Sequence, residues 1–110
     1  CATAAVTAKL PGIRPLAFGH VGDGNIHFNL SQPPSADAKV FLARRAEFSH
    51  IVHDLARGLN GSISAEHGIG RLKREDLPRY KSPLELALMR RLKQALDPDE
   101  LMNPGKILPP

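Results

Sequence analysis

The sequence predicts an α+β chain: a small antiparallel sheet with helices packed on one face. Three observations carry that expectation. Asp23-Gly24 stands between two runs of strand character, LAFGHV and NIHFNLS, and Asp-Gly is a preferred pair for a tight hairpin turn. Between Ala36 and Leu59, Val40, Phe41, Phe48, Ile51, Val52, Leu55 and Leu59 recur at helical spacing. A second helical stripe, Leu84, Leu88, Met89, Leu92 and Leu96, follows a start signal at Ser82-Pro83-Leu84-Glu85.

In chain order, Pro11-Gly12 marks a turn that leads into the first strand. Gln32 to Ser35, with Pro33-Pro34 inside it, ends the second. One long helix is then expected from Ala36 to Leu59, closed by the left-handed residue that Asn60-Gly61 supplies. SISAEHGIG reads as a third strand running into a loop, and RLKREDLPRYK as a polar segment broken by Pro78. Ser82 caps the last helix, Pro83 takes its first position and Glu85 reaches back. Pro98 stops that helix at Asp97. Asp97 to Glu100 can cap one more turn, and Asn103-Pro104-Gly105-Lys106 is a turn with proline and glycine at its centre. The expected order is therefore β-β-α-β-α.

A chain of 110 residues is one small domain or a piece of a larger one. Aromatics are 5% and tryptophan is absent, so the core must be mainly aliphatic. The single cysteine, Cys1, cannot form an internal disulfide, which points to a reducing, cytoplasmic setting. Cys1 also begins the chain with no methionine before it, which is expected of a fragment. No apolar run approaches the roughly 20 residues of a membrane span. Net charge is +4, with basic residues at Arg71, Lys73, Arg74, Arg79 and Lys81 and again at Arg90, Arg91 and Lys93. A solvated helix face explains them first, and acidic small substrates or another subunit second. Nucleic acid is set aside, because no aromatics interleave with the charges to stack bases.

The polar residues of FGHVGDGNIHFNL need a separate account. With Asp23 and Gly24 as the two turn residues, His20 falls opposite His27, and Phe18 opposite Asn29. Alternation sends Ile26, Phe28 and Leu30 to a core face with Ala17 and Val21. His20, His27, Asn29 and Asn25 share the other. Two opposed imidazoles could hold one divalent ion; equally, each could be an ordinary half-buried polar side chain. Asp23 reads as a turn residue. Glu66 and His67, set among small residues in SAEHGIG, offer a carboxylate as a third ligand and an imidazole, the side chain whose unperturbed pKa lies nearest neutrality, as a base. A plain polar loop is the alternative there. His50 and His53 fall away from the apolar side of the long helix and read as surface residues.

FGHVGDGNIHFN, SAEHGIG and MNPGKIL occur in that order, and together they resemble the C-terminal part of FAD-linked oxidases of the vanillyl-alcohol oxidase/p-cresol methylhydroxylase superfamily. Within it the likeness is nearest to the D-2-hydroxyglutarate dehydrogenase, D-lactate dehydrogenase and glycolate oxidase flavin subunit branch. The match runs from Phe18 to Leu108. The resemblance implies that His20, His27 and Glu66 bind a divalent metal, usually zinc, which chelates a D-2-hydroxy acid. It implies that His67 is the catalytic base, that Asn29 contacts substrate, and that hydride passes to the flavin. Asn103 and Lys106 match a terminal segment near FAD. The family's FAD-binding domain, about 200 residues long, is not among these 110, so residues 1–110 are expected to be the end of a substrate domain, inactive alone. Its expected partners are the small 2-hydroxy acid, its own N-terminal FAD domain and, through an uncovered sheet edge, a second copy. Contact with a membrane would be peripheral, through electron-transfer partners. A metal-stapled domain with no redox role is the competing reading.

Overall fold

A computed structural model describes all residues, Cys1–Pro110. It contains one antiparallel two-stranded sheet and five α-helices, the α+β class that the sequence predicts. The chain divides into two compact units, Cys1–Ile63 and Ser64–Pro110.

The first unit opens with a helix absent from the expected order, α1 (Ala2–Lys9). Its sequence is rich in alanine, so propensity favours helix where no strong apolar stripe announces it. Strands β1 (Arg14–His20) and β2 (Asn25–Ser31) form the hairpin. Val6, Ile13 and Phe48 are buried together, with Phe28, Leu30, Phe41, Ile51 and Val52 packed against them. Each such side chain is worth about 1.5–3 kcal/mol when fully buried. The core thus receives Phe28 and Leu30 from one face of the hairpin, whereas Ile26 (71% exposed), Val21 (95%) and Ala17, expected beside them, lie toward the turn or the open side and are not buried.

The long helix expected from Ala36 to Leu59 is two helices, α2 (Ala38–Ala43) and α3 (Arg45–Gly58). Asp37 caps α2, its Oδ1 accepting from the Lys39 and Val40 amides at 2.7 and 3.3 Å. The break falls at Arg44, where ψ is 4°. Its guanidinium donates to the Lys9 carbonyl at the end of α1 at 3.2 Å, pairs with Glu47 at 2.8 Å and lies over the Phe48 ring at 4.9 Å. Hydrogen bonding to that guanidinium holds the Glu47 carboxyl below its usual range. Helical spacing in α2 and α3 cannot reveal a break made by a carbonyl 35 residues away. At the far end Asn60 (φ 59°), rather than Gly61, takes the left-handed position. The Gly61 amide reaches the Ala56 carbonyl at 2.8 Å and that of Asn60 reaches Arg57 at 2.9 Å, closing α3 by paired bonds. His50 and His53 are half-buried, not surface residues.

In the second unit, the expected third strand at SISAEHGIG is a loop; the sheet holds two strands only. A strand needs a neighbouring strand for its backbone groups, and β1 and β2 pair with each other alone. Pro78 does not break the segment after it: it sits in the first turn of a short helix, α4 (Leu77–Tyr80), with Leu77 and Tyr80 buried. Helix α5 (Pro83–Leu96) begins with the expected capping box. The Ser82 amide donates to Glu85 at 2.8 Å, and the Glu85 amide donates to the Ser82 hydroxyl at 3.2 Å. The Ser82 amide first, then Lys81 and the Ser82 hydroxyl, lower the Glu85 carboxyl to about 2. The helix ends at Asp97, before Pro98. Its leucine stripe is not core: Leu92 is 63% and Leu96 75% exposed, and only Leu86 is buried. No helix is long and apolar enough to cross a membrane.

Candidate metal centre and base

The hairpin connection sets the imidazole geometry. In place of a two-residue turn, Val21–Asp23 form one 3-10 turn and Gly24 takes the left-handed conformation (φ 66°). The Gly24 amide bonds the Val21 carbonyl at 3.2 Å. This longer loop shifts the register by two residues from the expected one: Phe18 pairs with His27, His20 with Asn25, and Leu16 with Asn29. His20 is therefore diagonal to His27, not opposite it. A shift of two leaves every side chain on its original face, whereas a shift of one would invert them. So His20, Asn25, His27 and Asn29 still share a face.

On that face the His20 and His27 rings meet edge-on with centroids 6.0 Å apart, and each offers a ring nitrogen within 4.8 Å of the other's. Two nitrogens bound to one tetrahedral zinc lie about 3.3 Å apart, given bonds of about 2.0–2.1 Å. A small rotation of either ring about χ2 covers the difference. His20 is exposed and His27 half-buried. The donor set is chemically apt, since neutral imidazole suits zinc and its neighbours in the first transition row.

Two residues stand beside the imidazoles that the sequence reading places elsewhere: Phe18, expected opposite Asn29, and Asp23, expected only as a turn residue. Phe18 stacks on His27, with centroids 5.0 Å apart and planes 7° from parallel, so it fixes the ring's orientation from one side. The register hides it, because Phe18 belongs opposite His27 only after the two-residue shift. The Asp23 carboxylate stands 4.0 Å from His20 Nδ1, too far for a hydrogen bond. An acid three residues beyond a histidine was the available signal. Gly19 is required by close approach: a Cβ there would lie 2.1 Å from the Asn25 carbonyl oxygen. Asn29 is exposed on the imidazole face, across from Leu16.

Glu66 and His67 belong to the second unit and are both exposed. The Ser64 hydroxyl donates to the His67 carbonyl and closes a four-residue loop in which Glu66 is at the tip and His67 at the closing end. Gly70 (φ 60°) then redirects the chain. At the other end of the unit, Gly105 takes φ 66° in the Asn103–Lys106 turn, as glycine in its third place should. Lys106 donates to the Asn103 side chain at 3.3 Å. Asn103 and Lys106 both line an open groove of about 650 Å³ with Met89, Leu92 and Met102. Asp97, 5% exposed, anchors the segment before that turn by accepting from the Leu101 and Met102 amides at 2.8 and 3.0 Å. Its pairing with Lys93, followed by these amides, lowers the Asp97 carboxyl from its usual value.

Residues 2–107 match the family model described as FAD linked oxidases, C-terminal domain. The chain is 41% identical over 104 residues to a D-2-hydroxyglutarate dehydrogenase of Stutzerimonas stutzeri, covering 94% of this chain and 22% of that protein. It is 38% identical over 94 residues to the mitochondrial D-2-hydroxyglutarate dehydrogenase of Bos taurus, covering 86% and 16%. Similarity extends to a mitochondrial D-lactate dehydrogenase [cytochrome] of Arabidopsis thaliana, 36% identical over 93 residues, 84% of this chain and 16% of the relative. The chain thus spans about a fifth or less of the length of these relatives.

Proposed function

The chain belongs to the FAD linked oxidases as their C-terminal domain, and from that footing we propose that it forms the metal- and base-bearing part of an FAD-dependent dehydrogenase of D-2-hydroxy acids. The observation that carries the proposal is the pair of hairpin imidazoles with nitrogens within 4.8 Å of each other. The names of the D-2-hydroxyglutarate and D-lactate dehydrogenases supply the substrate class.

In this reading His20 and His27 hold a divalent ion, zinc by preference, and Glu66 is the third ligand. Three protein ligands leave a catalytic ion with room for substrate. When bound, the ion supplies Lewis acidity that lowers the pKa of the substrate hydroxyl, and FAD supplies the two-electron acceptor. His67 takes the hydroxyl proton as general base. Asn29, on the imidazole face, orients the substrate. The α-hydrogen leaves with its electron pair as the carbonyl of the 2-oxo acid forms. The Asn103 amide and Lys106 ammonium, adjacent on a sharp turn, suit contact with a polar, anionic cofactor. An N-terminal FAD domain of the same protein is the proposed partner, in a cytoplasmic setting supported by the lone cysteine.

The test is anaerobic bleaching of the flavin in the intact protein by D-2-hydroxyglutarate or D-lactate. His20→Ala and Glu66→Gln should lose zinc and reduce the flavin at least about 100-fold more slowly, since they remove ligands and not the outer groups worth 10–100-fold. Zinc bound by the parent without any flavin reduction would instead favour a metal-stapled domain and sink the catalytic reading.

A further inference from the structure

Both segments of the second unit that enter the proposed chemistry, the Glu66–His67 loop and the Asn103–Lys106 turn, are exposed. Exposed loops bring side chains to a reacting centre precisely only when their backbones are held. Two bonds do this. The Ile107 amide donates to the Gly70 carbonyl at 2.8 Å, just after the turn and just after the loop. Arg74 Nη1 donates to the Gly105 carbonyl at 2.8 Å, inside the turn. Arg74 itself is on the backbone that leaves Gly70, where the Lys73 amide bonds Ile69 and that of Leu77 bonds Lys73.

The cost of this arrangement is visible at Ile107. Its φ is 67°, a conformation that a β-branched residue rarely adopts and keeps only where its surroundings over-determine it. Asn103 (φ 50°) and Gly105 (φ 66°) are left-handed as well. Asparagine and glycine take that conformation readily, so the strain is concentrated at Ile107. The Arg74 guanidinium is oriented in its turn by Glu75, whose Oε1 accepts from Nε at 2.9 Å.

We propose that Arg74 is a positioning residue: it straps the Asn103–Lys106 turn to the segment carrying Glu66 and His67, so that the two move as one body. Arg74 touches neither substrate nor metal in this scheme. Its effect reaches the chemistry through the Gly105 carbonyl, the Ile107–Gly70 bond and the loop beyond. The inference rests on the assignment of Glu66 as a metal ligand.

Arg74→Met keeps the aliphatic stem and removes every donor, and Arg74→Lys keeps one donor able to reach the Gly105 carbonyl. Zinc affinity of the intact protein is read by chelator competition, alongside hydrogen exchange of the Ile107 amide. Loss of an outer group that orients a ligand weakens metal binding by 10–100-fold, so Arg74→Met should bind zinc about tenfold more weakly and lose protection at Ile107. Arg74→Lys should stay within about twofold of the parent on the same scale. Parent-like zinc affinity in Arg74→Met overturns the strap, as does equal weakening in both variants. Were Arg74→Met to unfold, rapid exchange of the Ile107 amide in the parent would overturn it alone. Glu66→Gln separates the two ideas: if it leaves zinc affinity unchanged, the ligand assignment fails; if it abolishes binding while Arg74→Met does nothing, only the strap fails.

Discussion

Replacing Gly19 by alanine tests the hairpin that creates the imidazole pair. Gly19 has an ordinary extended backbone, so the penalty is one of space. The new Cβ would stand 2.1 Å from the Asn25 carbonyl oxygen and 2.9 Å from the Ile26 Cα. Real Cβ atoms essentially never come within 3.0 Å of such atoms, so the strands must part by about 1 Å, and the obstruction is backbone that cannot rotate away. Overpacking of this kind costs about 1–3 kcal/mol, and the upper end applies where nothing flexible yields. In a unit of 63 residues (Cys1–Ile63), each kcal/mol moves the melting temperature by about 4–8 °C. Gly19→Ala should therefore lower it by more than about 10 °C and weaken zinc binding through His20 and His27. Gly22→Ala is the control, because its Cβ meets nothing within 4 Å and a less flexible unfolded chain favours it by up to about 1 kcal/mol. Calorimetry with a chelator-competition assay reads both variants. A Gly19→Ala protein that melts with the parent and binds zinc as tightly would refute the register and the site built on it.

Ser82→Ala should cost about 1 kcal/mol by removing the cap of α5, seen as a lower urea midpoint at pH 7. Because the folded Glu85 carboxyl is lowered to about 2 from 4.5, its contribution is complete above the unfolded value and fades as the pH falls from about 4.5 toward 2. The difference between parent and Glu85→Ala, which removes the carboxylate that accepts from the Ser82 amide, should therefore narrow in urea titrations below pH 4, and a difference independent of pH would contradict the capping box. The uncovered stripe of Leu84, Leu88, Leu92 and Leu96 should make the isolated 110-residue chain self-associate at micromolar concentration, since exposed apolar patches pair. Leu92→Glu should reduce that association, and a parent monomeric throughout in sedimentation velocity would argue against a second copy as partner.

What could be read from the sequence was the local and the periodic. The Ser82 cap, the stop at Pro98, the left-handed closure at Asn60-Gly61 and the Asn103–Lys106 turn depend on residues within five positions, so their signals are self-contained. The separation of Phe28 and Leu30 from the imidazole face also survived an incorrect turn length, because a period of two is indifferent to a two-residue shift; alternation could not say that Ile26 and Val21 would stay exposed. Glu66 and His67 were legible as a pair among small residues, though not the Ser64 bond that holds their loop.

Tertiary structure decided what depends on distant partners. Arg44 interrupts a continuous helical pattern because the Lys9 carbonyl and the Phe48 ring stand where its guanidinium can reach both. SISAEHGIG forms no strand because strand character needs a neighbour that composition cannot promise. The α5 stripe is periodic enough for a core, yet periodicity states only that one side is apolar, and burial requires a surface to meet it. His20 and His27 stand diagonal, with Phe18 against one ring, because the backbone of Val21–Gly24 settles the pairing, and hydrogen bonds across a sheet are counted from the turn.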